Sequence, residues 1–284
     1  MYVDISEVRA VIGVTDTSVI SDATITQAIQ FAEDEIDRLT FTTYYPVEIS
    51  GTATAGAATT ITDSSKTWTT NAYAGYAVYI YSGTGKGQIR EIVSNTATAL
   101  TVATWATNPD ATSKYIITYL NKQTLTIDGT GSYAILLQDY PIVQVDSLEI
   151  EGTAIDSDDY VVYSETGKIV LKNTASQTYF TQPIANLYPQ EIEITYHWGV
   201  LPELKRGSIS LNRVIKRATC LIAGLQCFTY QMGGTYDDLS TFSLPEFSGS
   251  IGQAYVNIKG VIDSLQKELE EFKKLYLGKY VYMV

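Results

Sequence analysis

The chain has 284 residues, enough for one large domain or two smaller ones, and its 45% hydrophobic content supplies a core. Charged residues make up only 18%, which argues against disorder, and the net charge of -12 excludes tight nucleic-acid binding through basic patches. An acidic surface still suits a channel that passes DNA without gripping it.

The N-terminus, Met1 to Val14, has acidic residues early and no basic region before an apolar run, so no signal peptide is expected. Asp4-Ile5-Ser6-Glu7 reads as a capping box; Ile5, Val8 and Ile12 share a helical face, and Gly13 stops the helix. Asp22 is placed to cap a second helix, with Ile25, Ala28, Ile29, Ala32, Ile36 and Leu39 on its apolar face. Composition shifts near Ser50. Gly51 to Tyr119 is rich in Thr, Ala and Gly, with strands expected at Val78–Tyr81 and Ile89–Val93 around the turn Ser82–Gly87, then at Leu100–Val102 and Tyr115–Tyr119. A second β region follows, with strands expected at Tyr133–Leu137, Ile142–Ile150, Tyr160–Tyr163, Lys168–Leu171 and Glu191–Tyr196. Turns at Glu151-Gly152 and Thr166-Gly167 separate them, and the regular spacing without helices indicates an antiparallel sheet or sandwich.

Helix is expected to return near Ser208. Leu211, Val214, Ile215, Ala218, Leu221, Ile222, Leu225 and Phe228 form its apolar stripe, and Gly233-Gly234 ends it. After a loop, Ile251, Tyr255, Ile258, Ile262, Leu265, Leu269, Phe272 and Tyr276 repeat at heptad spacing. This seam requires a partner helix, either Ser208–Met232 of the same chain or one from a neighbour. The apolar tail, including Tyr280 and Tyr282, is expected to pack on something. The fold class expected is α+β: a helical bundle of two N-terminal and two C-terminal helices, with an antiparallel β region and a separate small all-β inserted domain. Its parts are residues 1–50, 51–120, 121–200 and 201–284.

Residues with chemical potential are few. Ser82–Gly87 lacks Walker A spacing, has Gly87 where Ser or Thr belongs, and leads into a strand, so it reads as a hairpin turn. His197 is the only histidine and lacks a nucleophile elbow, which favours a structural role. Cys220 and Cys227 lie about 10 Å apart along a helix and cannot pair within it; they read as buried apolar residues. Asp156 and Asp158 start like a calcium loop, but Tyr160 and Val161 break the pattern, and Asp237-Asp238 resembles a turn. Neither an enzyme, a metal nor a cofactor is expected. Trp68, Tyr73 and Tyr76, with Tyr79 and Tyr81, read either as a sugar-binding face or as cross-strand packing pairs. No stretch of about 18 uncharged apolar residues suggests a membrane span.

Several segments resemble the head–tail connector, or adaptor, proteins of tailed phages and related viruses. They are the helices Asp4–Gly13 and Ala23–Leu39, the strand pattern Leu137–Ile150 with its Tyr140-Pro141-Ile142, then Asp159-Tyr160 and Gly167-Lys168-Ile169, and finally Ile192–Gly199 followed by Pro202. The chain departs from the compact family pattern through the insertion at Gly51–Tyr119 and its long C-terminal helix. The insertion itself is similar to small β modules of phage structural proteins. The resemblance implies a ring of about twelve copies beneath the portal protein. Such a ring would extend the DNA channel without sequence-specific binding and present a surface to a stopper or tail protein. It would reside in the virion neck after synthesis in the host cytoplasm. The residues assigned to a portal or subunit interface are the heptad set with Tyr280 and Tyr282. The rival reading is a β-rich surface protein of the virion that binds carbohydrate.

Overall fold

The computed structural model describes residues 1–129, 134–172, 192–205, 208–231, 260, 262–272 and 274. The chain divides into two compact units. One joins both ends, Met1–Phe41 with Glu203–Val284; the other is Thr42–Pro202.

The unit of the chain ends is helical. Helix α1 (Ile5–Ile12) has the full capping box: Asp4 accepts from the Glu7 amide, Glu7 accepts from the Asp4 amide, and Gly13 closes the helix at φ 73°. Helix α2 (Asp22–Thr40) is capped by Ser21, which accepts from the Thr24 amide at 3.1 Å. Asp22, expected as the cap, is instead the first helical residue, where a carboxylate suits the positive end of the helix. It also receives Arg9 at 2.6 Å. Helix α3 (Arg213–Gln231) starts later than expected, because Ser208–Ser210 pairs as a short antiparallel strand with Glu203–Lys205. Residues 218–224 are all buried, so α3 is the central helix, covered on several sides. Val214, placed on the apolar stripe by its spacing, is exposed. Gly224 lets α1 approach: a Cβ there would lie 2.9 Å from Ile12 Cγ2 and 3.7 Å from Leu265 Cδ1. Leu265 belongs to the last described helix, α4 (262–272).

Among its described residues the other unit is β apart from two single helical turns. Its first seven strands are β1 (Ile49–Thr52), β2 (Ala55–Ala57), β3 (Thr60–Thr62), β4 (Ala77–Ser82), β5 (Ile89–Asn95), β6 (Ala99–Val102) and β7 (Lys114–Thr118). They pair in the order β1-β7-β4-β5-β6-β3-β2. The two outermost strands are continuous in sequence. Between them, the Ala53 amide donates to Ser113 on the β7 side and the Thr54 amide to Thr62 on the β3 side. The sheet therefore closes on itself as a barrel, and its two edges are one stretch of chain. A bulge between Ile92 and Ser94 bends β5 so that it serves both halves. Ile61, Val78, Ile80, Ile92, Leu100, Trp105, Tyr115 and Ile117 fill the interior.

Seven further strands follow: β8 (Lys122–Ile127), β9 (Ala134–Leu136), β10 (Ile142–Ile150), β11 (Thr153–Ala154), β12 (Tyr160–Tyr163), β13 (Lys168–Leu171) and β14 (Ile192–Trp198). They form two sheets, β11-β10-β14-β8 and β12-β13-β9. Leu148, Ile192, Ile194 and Tyr196 of the first face Ile135, Ile169 and Leu171 of the second in one buried cluster, a small sandwich.

The expected fold class is corrected by this arrangement. The protein is mostly β, with four helices and 35% strand in several antiparallel sheets; it is not a helical bundle with a small inserted β domain. The physical reason lies in the middle of the chain. Short Thr-, Ile- and Tyr-rich segments each look minor in sequence. Their pairings span a closed barrel and a sandwich, and together they outweigh the helices.

Candidate functional site

The surfaces assigned to assembly fall partly within the described residues. Ile251, Tyr255, Ile258, Tyr276, Tyr280 and Tyr282 lie outside them. Ile262, Leu265 and Phe272 are buried, and Leu269 is half-buried. Their partner is α3 of the same chain. Arg217 on α3 holds Glu268 on α4 through two hydrogen bonds of 2.7 Å each. Between the two helices runs a groove of ≈ 290 Å³ lined by Val214, Leu221 and Phe272 among others. Ile262, Leu265 and Phe272 are thus taken up by their own unit. Burying each is worth roughly 1.5–3 kcal/mol to that unit.

The aromatics of the barrel form a packed chain. Trp68 is 9% exposed and belongs to the interior. It meets Tyr73 edge-to-face at 5.9 Å and Tyr115 at 6.4 Å; Tyr73 meets Tyr76 at 5.9 Å, and Tyr76 meets Tyr119 at 6.1 Å. Tyr73 and Tyr76 are half-buried against the same interior. Rings that spend their faces and edges on one another give core stability rather than an open stacking platform.

The one histidine sits at the junction of barrel and sandwich. His197, on β14, is fully buried. Its Nε2 lies 3.3 Å from Asp146 Oδ2 on β10, an ion-pair distance without hydrogen-bond alignment. Asp146 also takes Lys122 Nζ at 3.1 Å and the Gln144 side-chain amide. Gln144 then accepts from the Ile89 amide at 3.2 Å and from Arg90 Nη1 at 3.0 Å, and Arg90 lies over Trp105. Burial alone would raise the Asp146 carboxyl, but His197, Gln144 and Lys122 outweigh it and hold it well below the usual carboxylate range. The network ties the second β region to the barrel and is built for cohesion. In sequence only the histidine stood out; its partners are ordinary polar residues in alternating strands.

Other candidates resolve simply. Asp156 caps a single helical turn by accepting from the Asp158 amide at 2.9 Å. Cys220 and Cys227 are free thiols, each pushed up to about 11 by burial first of all. Among the described residues no group of three or more His, Cys, Asp or Glu side chains could hold a metal, and no helix is long and apolar enough to cross a membrane. Asp237 and Asp238 lie outside the described residues.

No protein-family model matches the chain, and no curated protein matches it. Function is therefore read from surfaces.

Two surfaces were not singled out by sequence reasoning. The register of β12, β13 and β9 puts Val162, Ile169 and Ile135 on the core side. The opposite face carries Val161, Val170 and Ala134 in one row and Tyr163, Lys168 and Leu136 in the next. Leu136 is 70% exposed, Tyr163 52% and Val161 39%. A strand such as Tyr160–Tyr163, apolar at every position, is the sequence signal for a sheet with two apolar faces. The second surface is the solvent side of α2. Phe31, Asp34 and Arg38 fall on one stripe, with Phe31 46% exposed, and Phe41, the left-handed C-cap just past the helix, is 79% exposed.

Proposed function

We propose that this protein is a virion structural component, a head–tail adaptor that assembles as a ring of about twelve copies. The ring docks on the portal, extends the DNA channel and presents a surface to a stopper or tail protein. Its work is mechanical and needs no enzyme chemistry. The observation that carries the reading is the chain's organisation: the two ends meet in one helical unit, and the whole β unit is carried between α2 and α3. The segments whose sequence resembles connector proteins lie in those ends and in the sandwich. Acidity supports the same reading, because a net charge of -12 per copy gives a lumen with few sticking points for DNA. The terminal segment from Ile251 to Tyr282 is proposed to contact the portal or a neighbouring subunit, the part from Ile262 to Phe272 acting through the surface it leaves after packing on α3.

Quantitative mass spectrometry of purified particles tests this. Copy numbers near those of the portal protein are expected. Absence from particles, or hundreds of copies, would overturn the adaptor reading and favour a decoration or surface-binding protein.

A further inference from the structure

The outer face of β9, β12 and β13 is an apolar surface with one charge in it. Within the strands, Lys168 is its only ionisable amine or acid. Its ammonium lies 5.9 Å over the Tyr163 ring, and among the described residues no carboxylate pairs with it. A cation left alone among exposed apolar groups is costly to cover unless the covering surface brings an anion. The solvent stripe of α2 has the complementary pattern. Asp34 is an exposed carboxylate without an ion-pair partner among the described residues; the exposed ring of Phe31 lies one turn before it, and exposed Phe41 caps the end of the helix. Arg38, on the same stripe, is occupied by Glu35 at 2.6 Å. The dimensions agree: Phe31 to Thr40, the last helical residue, spans about 14 Å of helix. Three strands at about 4.8 Å spacing, with side chains reaching past both outer strands, offer a face of similar width.

We infer that this face is a subunit contact, and that its occupant is the α2 stripe of a second copy of the chain, with Asp34 against Lys168. Two identical faces meeting about a two-fold axis would set Lys168 against its own copy. A head-to-tail contact between different faces avoids that repulsion and is the kind that closes into a ring. The inference rests on the ring-assembly reading above and names the surfaces that make it.

The test is sedimentation velocity on the full chain over a concentration series up to its solubility limit, at low salt. Wild type is expected to self-associate. Lys168→Glu and Asp34→Lys are each expected to weaken association about tenfold or more, since each sets like charges together. A mixture of the two variants restores it, because every contact then pairs opposite charges. The double variant restores it alone. Circular dichroism melts of each variant separate lost contact from lost fold. A wild-type chain that stays monomeric throughout the series overturns the proposal, as does association indifferent to the charge reversals or not rescued by mixing. The adaptor reading is decided separately by copy number in particles: a neck-ring count that Lys168→Glu leaves unchanged removes this contact and leaves the adaptor standing.

Discussion

Asp146→Ala should destabilise the β unit by about 2–3 kcal/mol. The substitution removes the carboxylate that faces His197, Lys122 and Gln144 together. Hydrogen bonds to a charged group are worth about 1.5–3 kcal/mol. The pairing with Lys122 adds less than about 1 kcal/mol, because both partners are partly open to water. At about 2–4 °C per kcal/mol for a unit of this size, the melting transition of the β unit should fall by roughly 4–12 °C. The assay is differential scanning calorimetry of the full chain, with Leu265→Ala marking the transition of the helical unit. Acid provides a second arm. The folded Asp146 carboxyl lies below its unfolded value of about 3.9. Its stabilisation is therefore present above pH ~4 and lost as pH falls through the folded value. Wild type and Asp146→Ala should thus differ by a constant amount from pH ~5 to 8 and converge in stronger acid. A loss below about 1 kcal/mol at neutral pH, or a difference that persists undiminished near pH 2, would refute the assignment of Asp146 as the centre of the junction.

Gly83→Ala should cost well over ~2 kcal/mol, because φ is +82° and the new Cβ would lie 2.0 Å from the Thr112 carbonyl oxygen; Gly87→Ala, at φ +94° with open space, should cost only about 1–2 kcal/mol by the same melts. Leu265→Ala should lower helical-unit stability by about 2–5 kcal/mol, whereas Glu268→Ala, which loses only an exposed ion pair, should cost under ~1 kcal/mol in urea titrations. Ser21→Ala should remove about 0.5–2 kcal/mol, more than Asp22→Ala, if Ser21 is the cap that holds the Thr24 amide. Cys220 and Cys227, buried and pushed up to about 11, should react with a thiol reagent at neutral pH only when urea opens the unit; prompt labelling of the native chain would contradict their burial.

Local structure was legible wherever alternation met a well-marked turn. Ile142–Ile150, Tyr160–Tyr163 and Lys168–Leu171 have the bounds that sequence suggested, because Glu151-Gly152 and Gly167 take positive φ and end the runs. The capping box of α1 was equally plain. What sequence hid was pairing at a distance. Ile49 faces Ile117, and His197 meets Asp146, through register that no local pattern encodes. Ser208–Ser210 looked like the start of a helix because its strand partner, Glu203–Lys205, is too short to announce itself. The heptad drew weight toward helices, while the strands that dominate the protein were spread over many modest segments. The apolar outer face of β12 and β13 was missed for a related reason: a strand apolar on both sides reads as buried on both sides.

Closure of the barrel bears on how such a module travels between proteins. The chain enters at Ile49 and leaves at Ile117, and these residues are direct antiparallel partners. Entry and exit therefore stand about 5 Å apart, one strand-pair width. A host protein can acquire or discard the module by splicing at a single point of its chain, gaining or losing contacts such as those of Ile89 and Arg90 with Gln144. Within the sheet the two outermost strands, β1 and β2, are short consecutive stretches of one backbone, so neither presents a long free edge to other chains. Portability thus comes from the Ile49–Ile117 pairing, and short edges from the bend at Ala53-Thr54.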